Sequence, residues 1–229
     1  MYFLLRSISC VCLLHFFAGL SGQEPVAVTK NFAFADGVYL SFAEFQENRP
    51  SYRWTDLKSS LFTNPQTFLT QIEFLKLKEE GNRPVPLDSV WGLCLGGIPY
   101  VRLPQGAVDK ELPTFAVLQV RGKICYFVFS RPELRRIPMS AYNPLTGRPF
   151  RSGLVDRWEE VEHPMMLHFQ TGEVARLTVD NFLQWIDDDE RLQETVRELE
   201  AGEAQEKLFK CLLIYDDRNP VFVPASDNQ

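Results

Sequence analysis

Histidine and cysteine are scarce in this chain, three and five in 229 residues. Metal sites and activated nucleophiles draw on these residue types, so the scarcity narrows the chemistry. No G-x-S-x-G stretch offers a serine nucleophile on a strand-to-helix turn. No alternating D-x-D-x-D-G run offers a calcium loop; the acidic cluster Asp187, Asp188, Asp189, Glu190 lacks both the alternation and the turn glycine. Such a cluster at a helix start is accounted for by capping and by the helix dipole. Gly92, Gly96 and Gly97 fall within a hairpin pattern and not between a strand and a helix, so they form no dinucleotide loop. Positive charge is also short: 24 Lys and Arg against 30 Asp and Glu give a formal charge of −6. That balance argues against general binding of nucleic acid or of an anionic membrane.

The first residues are of a different kind. Arg6 is the one cation in the opening, the apolar stretch 8–17 follows, and then come Ala18, Gly19, Ser21 and Gly22. This is the order of a secretory signal peptide, with cleavage after Ser21 or Gly22. The apolar stretch falls short of the roughly 20 residues a membrane span needs, though an uncleaved anchor is the alternative. The surroundings of Cys10 and Cys12 do not suit lipid attachment. Removing 1–22 leaves 207 residues with a formal charge of −7, enough for a single domain, and no later segment is long and apolar enough to span a membrane. Cys94, Cys125 and Cys211 remain, an odd number that excludes a disulfide scaffold but leaves open a single bridge.

Along the chain, Asp36-Gly37 marks a turn. Ser41 and Glu44 then form a capping box for a short helix that Pro50 terminates. The stretch 51–69 has no clear period, and 70–77 reads as a strand. Two β-rich runs around Gly96-Gly97 make a hairpin across 89–103. A second hairpin is expected across 115–129 with its turn at 121–123, which extends the first into a four-stranded meander. The segment 131–153 holds Pro132, Pro138, Pro144 and Pro149 with Gly147 and Gly153, and is expected to be an irregular loop. A third hairpin spans 165–177, turning at Thr171-Gly172. Helical spacing follows: Thr178 or Asp180 caps one helix, Leu192, Val196 and Leu199 line a second, and Leu208, Phe209, Leu212 and Tyr215 a third. Asn219-Pro220 ends it before a short strand at 221–223. Strands first and helices last define an α+β fold, mainly antiparallel sheet in hairpins and a meander that could close toward a barrel, with two or three C-terminal helices. The expected organisation is a leader over 1–22 and one domain over 23–229, β-rich to about 177 and helical from about 178.

Two histidines follow the leader, His163 and His168; five residues apart, they point to opposite faces of a strand and do not suit a shared metal. Cys94 or Cys125 with either histidine is the nucleophilic pair that remains, a Cys-His type hydrolase, but neither cysteine sits where thiols are activated. The expected loop is the stronger feature. It gathers Arg131, Arg135, Arg136, Arg148 and Arg151 against one acidic residue, Glu133, in an acidic chain. Arginine forks suit carboxylate and phosphate. Arg135, Arg136, Arg148 and Arg151, with Tyr142 and Asn143 beside them, are the candidate site for an anionic partner or ligand of the cell envelope. The alternative is a solvated loop whose arginines pair with the acidic body. No cofactor is implied.

The succession Asp36, Gly37, Val38, Tyr39, Leu40, Ser41, Phe42, then Val90, Trp91, Gly92, Leu93, Cys94 with Tyr100, then 215–220 running into Val221, Phe222, Val223 and Pro224, resembles exported proteins of unknown function from Bacteroidetes-type bacteria. The resemblance implies a periplasmic or extracellular location and carries no assigned site. The sequence thus points to a non-enzymatic binding or structural protein of the envelope, with a secreted or periplasmic hydrolase as the alternative.

Overall fold

A computed structural model describes residues 25–79, 81–108, 111–200 and 204–224, the side chains of 204 and 205 excepted; the leader reading lies outside them. In chain order the elements are β1 (Pro25–Ala27), β2 (Gly37–Tyr39), α1 (Phe42–Gln46), β3 (Leu57–Thr63), β4 (Thr70–Leu77), β5 (Arg83–Pro84), β6 (Gly92–Leu95), β7 (Ile98–Arg102) and β8 (Thr114–Val117). They continue with β9 (Ile124–Tyr142), β10 (Pro149–His168), β11 (Val174–Arg176), α2 (Val179–Trp185), α3 (Glu190–Arg197), α4 (Ala204–Arg218) and β12 (Phe222–Pro224). The fold is α+β, with about twice as much strand as helix and a curled main sheet. That sheet runs β2-β6-β7-β8-β4-β3 with β5 on β4; a second runs β11-β10-β9, and β1 pairs with β12. Every pairing is antiparallel.

Local signals set most of these elements. Ser41 Oγ accepts the Glu44 amide at 3.3 Å, while the Glu44 carboxylate reaches back to the Leu40 amide at 2.7 Å, one residue before the cap. Gly96 and Gly97 turn the β6–β7 hairpin with φ of +60° and +77°, a pair of values that a Cβ would penalise at both positions. Thr178 caps α2 through the Asn181 amide, and Asp189 caps α3 through the Leu192 amide. The stretch without a clear period contains β3, an edge strand whose residues are mostly exposed or half-buried.

The second expected hairpin is corrected. Strands β6, β7 and β8 do form a meander, but β8 continues into β4, and β9 leaves the sheet after a single bridge between Val120 and Tyr126. The turn that redirects the chain is pinned from two sides. Arg121 donates to the carbonyls of Phe32 and Lys30, at 3.0 and 2.7 Å, and Asp216 of α4 accepts the Ile124 amide at 2.8 Å.

Strand alternation then explains where the core sits. The odd-numbered residues Cys125, Phe127, Phe129 and Leu167 enter an aromatic cluster with Phe34, Phe45 and Phe169. Their even neighbours Ile124 and Met166 enter a second cluster built by α2, α3 and α4. The base of the β9–β10 hairpin is therefore buried on both faces, which is why its sequence reads as continuous apolar residues. A third cluster, with Val38, Ile72, Leu75, Leu93 and Phe115, packs on the curled sheet.

Candidate functional site

The expected loop over 131–153 is instead the distal part of the β9–β10 hairpin, paired in one register from His168↔Ile124 out to Arg151↔Ala141 and, after a one-residue shift at Phe150, at Pro149↔Tyr142. Burial ends near Phe129, Val161 and His163, and beyond them the strands run on with exposed or half-buried side chains. Strand β11 pairs with β10 only at 165–167, so the rest is a two-stranded ribbon. At 3.3 Å per residue, its dozen or so residues per strand reach about 40 Å from the body.

The prolines fail to break this arm because of where they fall. Tyr126 exchanges backbone hydrogen bonds with Val120 and Gln119, on the side away from β10. Since the direction alternates, every even residue of β9 points its amide outward, and Pro132 and Pro138 are both even. Their missing N–H groups are absent from the free edge and not from the ladder, which is where sheets tolerate proline and where it discourages edge-to-edge pairing.

An isolated two-stranded ribbon is marginal in water, so its cross-strand pairs matter. On the even face Leu134 lies opposite Trp158, Arg136 opposite Asp156 and Pro138 opposite Leu154. The Arg136–Asp156 pair closes at 2.9 Å. On the odd face Glu133 lies opposite Glu159 and Arg135 opposite Arg157, two like-charged rows that cost stability. Near the base, Arg131 donates to the Glu133 carboxylate at 2.9 and 3.0 Å and holds its pKa below the usual range. His163 stacks on Phe129 with ring centroids 5.1 Å apart. Its Nε2 comes to 3.1 Å of Glu133 but is out of line for a hydrogen bond, and burial keeps the ring's pKa low.

The sequence-predicted residues separate into two groups on this arm. Tyr142, Arg148 and Arg151 gather at the tip, where all three are exposed. Arg135 and Arg136 lie back along the shaft on opposite faces, the first beside Arg157 and the second paired with Asp156. Sequence reasoning missed the apolar half of the site: Leu145 and Phe150 at the tip, 93% and 70% exposed, and Leu134, Leu154 and Trp158 along the shaft. The signal that could have found them was the even spacing of Pro132 and Pro138 together with the hydrophobic residues that continue after Phe129.

The other sequence candidates have structural partners. The thiols of Cys94, Cys125 and Cys211 are free and buried. Cys94 donates to the Phe34 carbonyl and Cys125 to the Gly122 carbonyl, each at 3.5 Å. Burial pushes the Cys94 thiol far up and the Cys125 thiol up to about 12. His168 accepts the amides of Gln170 and Thr171 on Nδ1 and so fixes the β10–β11 turn. In the acidic cluster, Asp188 binds Lys123 and the Tyr215 hydroxyl, both at 2.7 Å, and Asp189 binds Arg218 at 2.9 Å besides capping α3. Among the described residues no group of three or more His, Cys, Asp or Glu is placed to hold a metal ion, and no helix is long and apolar enough to cross a membrane. A shallow depression of about 190 Å³ is lined by Asp88, Arg102, Glu111 and Thr114. Its Arg102 is already engaged by the carbonyls of Leu87, Asp88 and Val90. None of the family models, curated proteins or solved structures compared with the chain matches it.

Proposed function

We propose that this chain is an exported, non-enzymatic binding protein of the cell envelope whose β9–β10 arm captures an anionic partner. One observation carries the reading. The 22 residues from 134 to 155 hold four arginines and no acidic residue, in a chain whose formal charge is −6 overall and hence −10 outside them. Arg136 is paired with Asp156 within the ribbon, whereas Arg148 and Arg151 stand exposed at the tip among exposed apolar side chains, with no ion pair to an acidic side chain among the described residues. Arginine forks supply the recognition and the apolar groups the contact area. Export itself rests on the order of the leader residues and on the resemblance to exported proteins. A Cys-His hydrolase gains no support from thiols that donate to backbone carbonyls.

The test is capture from an envelope extract by immobilised protein. Replacing Arg135, Arg136, Arg148 and Arg151 together by alanine is expected to abolish it. Capture at the wild-type level by the fourfold variant would overturn the reading.

A further inference from the structure

Resting on that reading, we infer that the anionic partner is a lipid surface, and that the arm's tip lodges in the headgroup region with Tyr142, Leu145 and Phe150 at its apolar boundary. Apolar and amphipathic side chains cap the tip, 60%, 93% and 70% exposed in that order, and Arg148 and Arg151 stand beside them. Tyrosine suits a membrane interface, and arginine can lie along apolar surface while its head meets phosphate.

The tip's backbone favours lipid over a protein partner. A turn entering a water-poor layer must satisfy its own amides, because lipid offers no replacement. Here the Asn143 amide donates to the Arg148 carbonyl and the Gly147 amide to the Asn143 carbonyl, at 2.9 and 2.8 Å. The Leu145 amide donates to Asn143 Oδ1 at 2.9 Å and the Arg148 amide to Thr146 Oγ1 at 3.5 Å. Pro144 and Pro149 have no amide hydrogen, so within 143–149 only Thr146 has an N–H without a partner. The strands behind are different: the even residues of β10 from 152 to 162 point unpaired amides outward and belong in water. Insertion is therefore shallow, on the order of the 5–10 Å typical of interfacial elements.

The side-chain distribution agrees. Exposed apolar groups project from both faces and from the turn; Leu154 and Val155, adjacent in sequence, face opposite ways. A folded acidic protein would have to enclose the ribbon to cover them, whereas a fluid interface does so wherever the tip enters. The arm's length has a purpose in this account. An anionic surface repels a body whose formal charge, from Gln23 onward and outside 134–155, is −11, but about 40 Å is some four to five Debye lengths at physiological ionic strength, so the repulsion is screened. Whole-chain acidity, which argues against membrane binding when averaged, does not describe the tip.

The experiment is flotation of the chain from Gln23 onward with vesicles of mixed phosphatidylglycerol and phosphatidylcholine, against phosphatidylcholine alone. Binding is expected to the mixed vesicles and to fall with salt. Each arginine near such a surface is worth about fivefold, so the double variant Arg148→Ala, Arg151→Ala should partition on the order of 30-fold less. Leu145→Gln with Phe150→Gln should also lose binding while keeping every charge. Phe150→Trp should add fluorescence that blue-shifts on binding and is quenched by brominated lipid. All these side chains are exposed, so circular dichroism is expected to be unchanged. Equal binding to both vesicle types, or none to either, overturns the lipid assignment. If capture from delipidated extract still requires the arginines while vesicles bind nothing, the partner is an acidic protein and only this inference fails; if the fourfold variant captures normally, the reading beneath it fails too.

Discussion

Asp216 is expected to make this protein lose stability between about pH 4 and pH 7, and Asp216→Asn to remove that loss. The side chain leaves α4 to meet the start of β9, where Oδ1 accepts the Ile124 amide at 2.8 Å. Oδ2 is buried without a partner. Burial outweighs the Ile124 and Lys123 amides and the Lys123 charge, and pushes the carboxyl from 3.8 up to about 7. Because the folded value lies above the unfolded one, the folded state holds the proton more tightly. Its contribution is fully present below about pH 4 and is lost as pH rises to 7, at about 1.4 kcal/mol per pH unit and on the order of 4 kcal/mol in all. His163 and His168 act in the opposite sense, since their pKa values are lowered: they favour the fold above the unfolded histidine range and weaken it as pH falls. A comparison of variant with wild type cancels them. Asparagine keeps an oxygen for the Ile124 amide but leaves its own NH2 unpartnered, an offset of about 1–3 kcal/mol that does not vary with pH. The assay is urea unfolding of both proteins at steps from pH 4 to pH 8. The stability of Asp216→Asn minus that of wild type should climb by several kcal/mol up to pH 7 and then level off. A difference that stays flat across the range would refute the burial argument.

Two further expectations follow from the same structure. Phe127→Ala, in the fully buried base of the hairpin, should cost about 3–5 kcal/mol in urea unfolding, whereas Trp158→Ala, on the exposed shaft, should cost under about 1 kcal/mol. Equal costs would mean that the arm is part of the cooperative core. Replacing Pro132 and Pro138 by threonine restores two outward amides on the free edge of β9 and should produce concentration-dependent association in sedimentation velocity; an unchanged monomer–oligomer balance would remove the edge-protection role given to these prolines.

Elements whose cause lies within a few neighbouring residues were legible in the sequence. The Gly96-Gly97 hairpin, the turn after His168, the cap at Ser41 and the three C-terminal helices all have local signals, and the structure contains them; of the caps offered as alternatives it uses Thr178 and not Asp180, and Asp189 of the acidic run. The departure of β9 from the main sheet was not legible, because it depends on Arg121 reaching residues 30 and 32 and on Asp216 reaching Ile124, contacts distant in sequence. Gly122 belongs to that arrangement: a Cβ there would overlap the Asp216 carboxylate, yet nothing local distinguishes it from any turn glycine. The arm was misread for a related reason. Proline breaks a strand or decorates its edge according to which way its amide points, and that parity is fixed by the partner strand. The arginines of the candidate site were visible as a charge imbalance, but their division into a tip pair and a shaft pair, and the apolar residues beside them, required the register.

The most direct test of the arm's role is to remove it and keep its base. Glu133 and Glu159 pair directly, so joining them through Asn-Gly in place of 134–158 closes the ribbon with a two-residue turn that suits their hydrogen-bonded geometry. Capture from envelope extract by this shortened chain is the measurement, with its urea midpoint as the check on folding. A midpoint close to wild type with capture lost is the predicted result. Capture retained by a folded, armless protein would contradict the account.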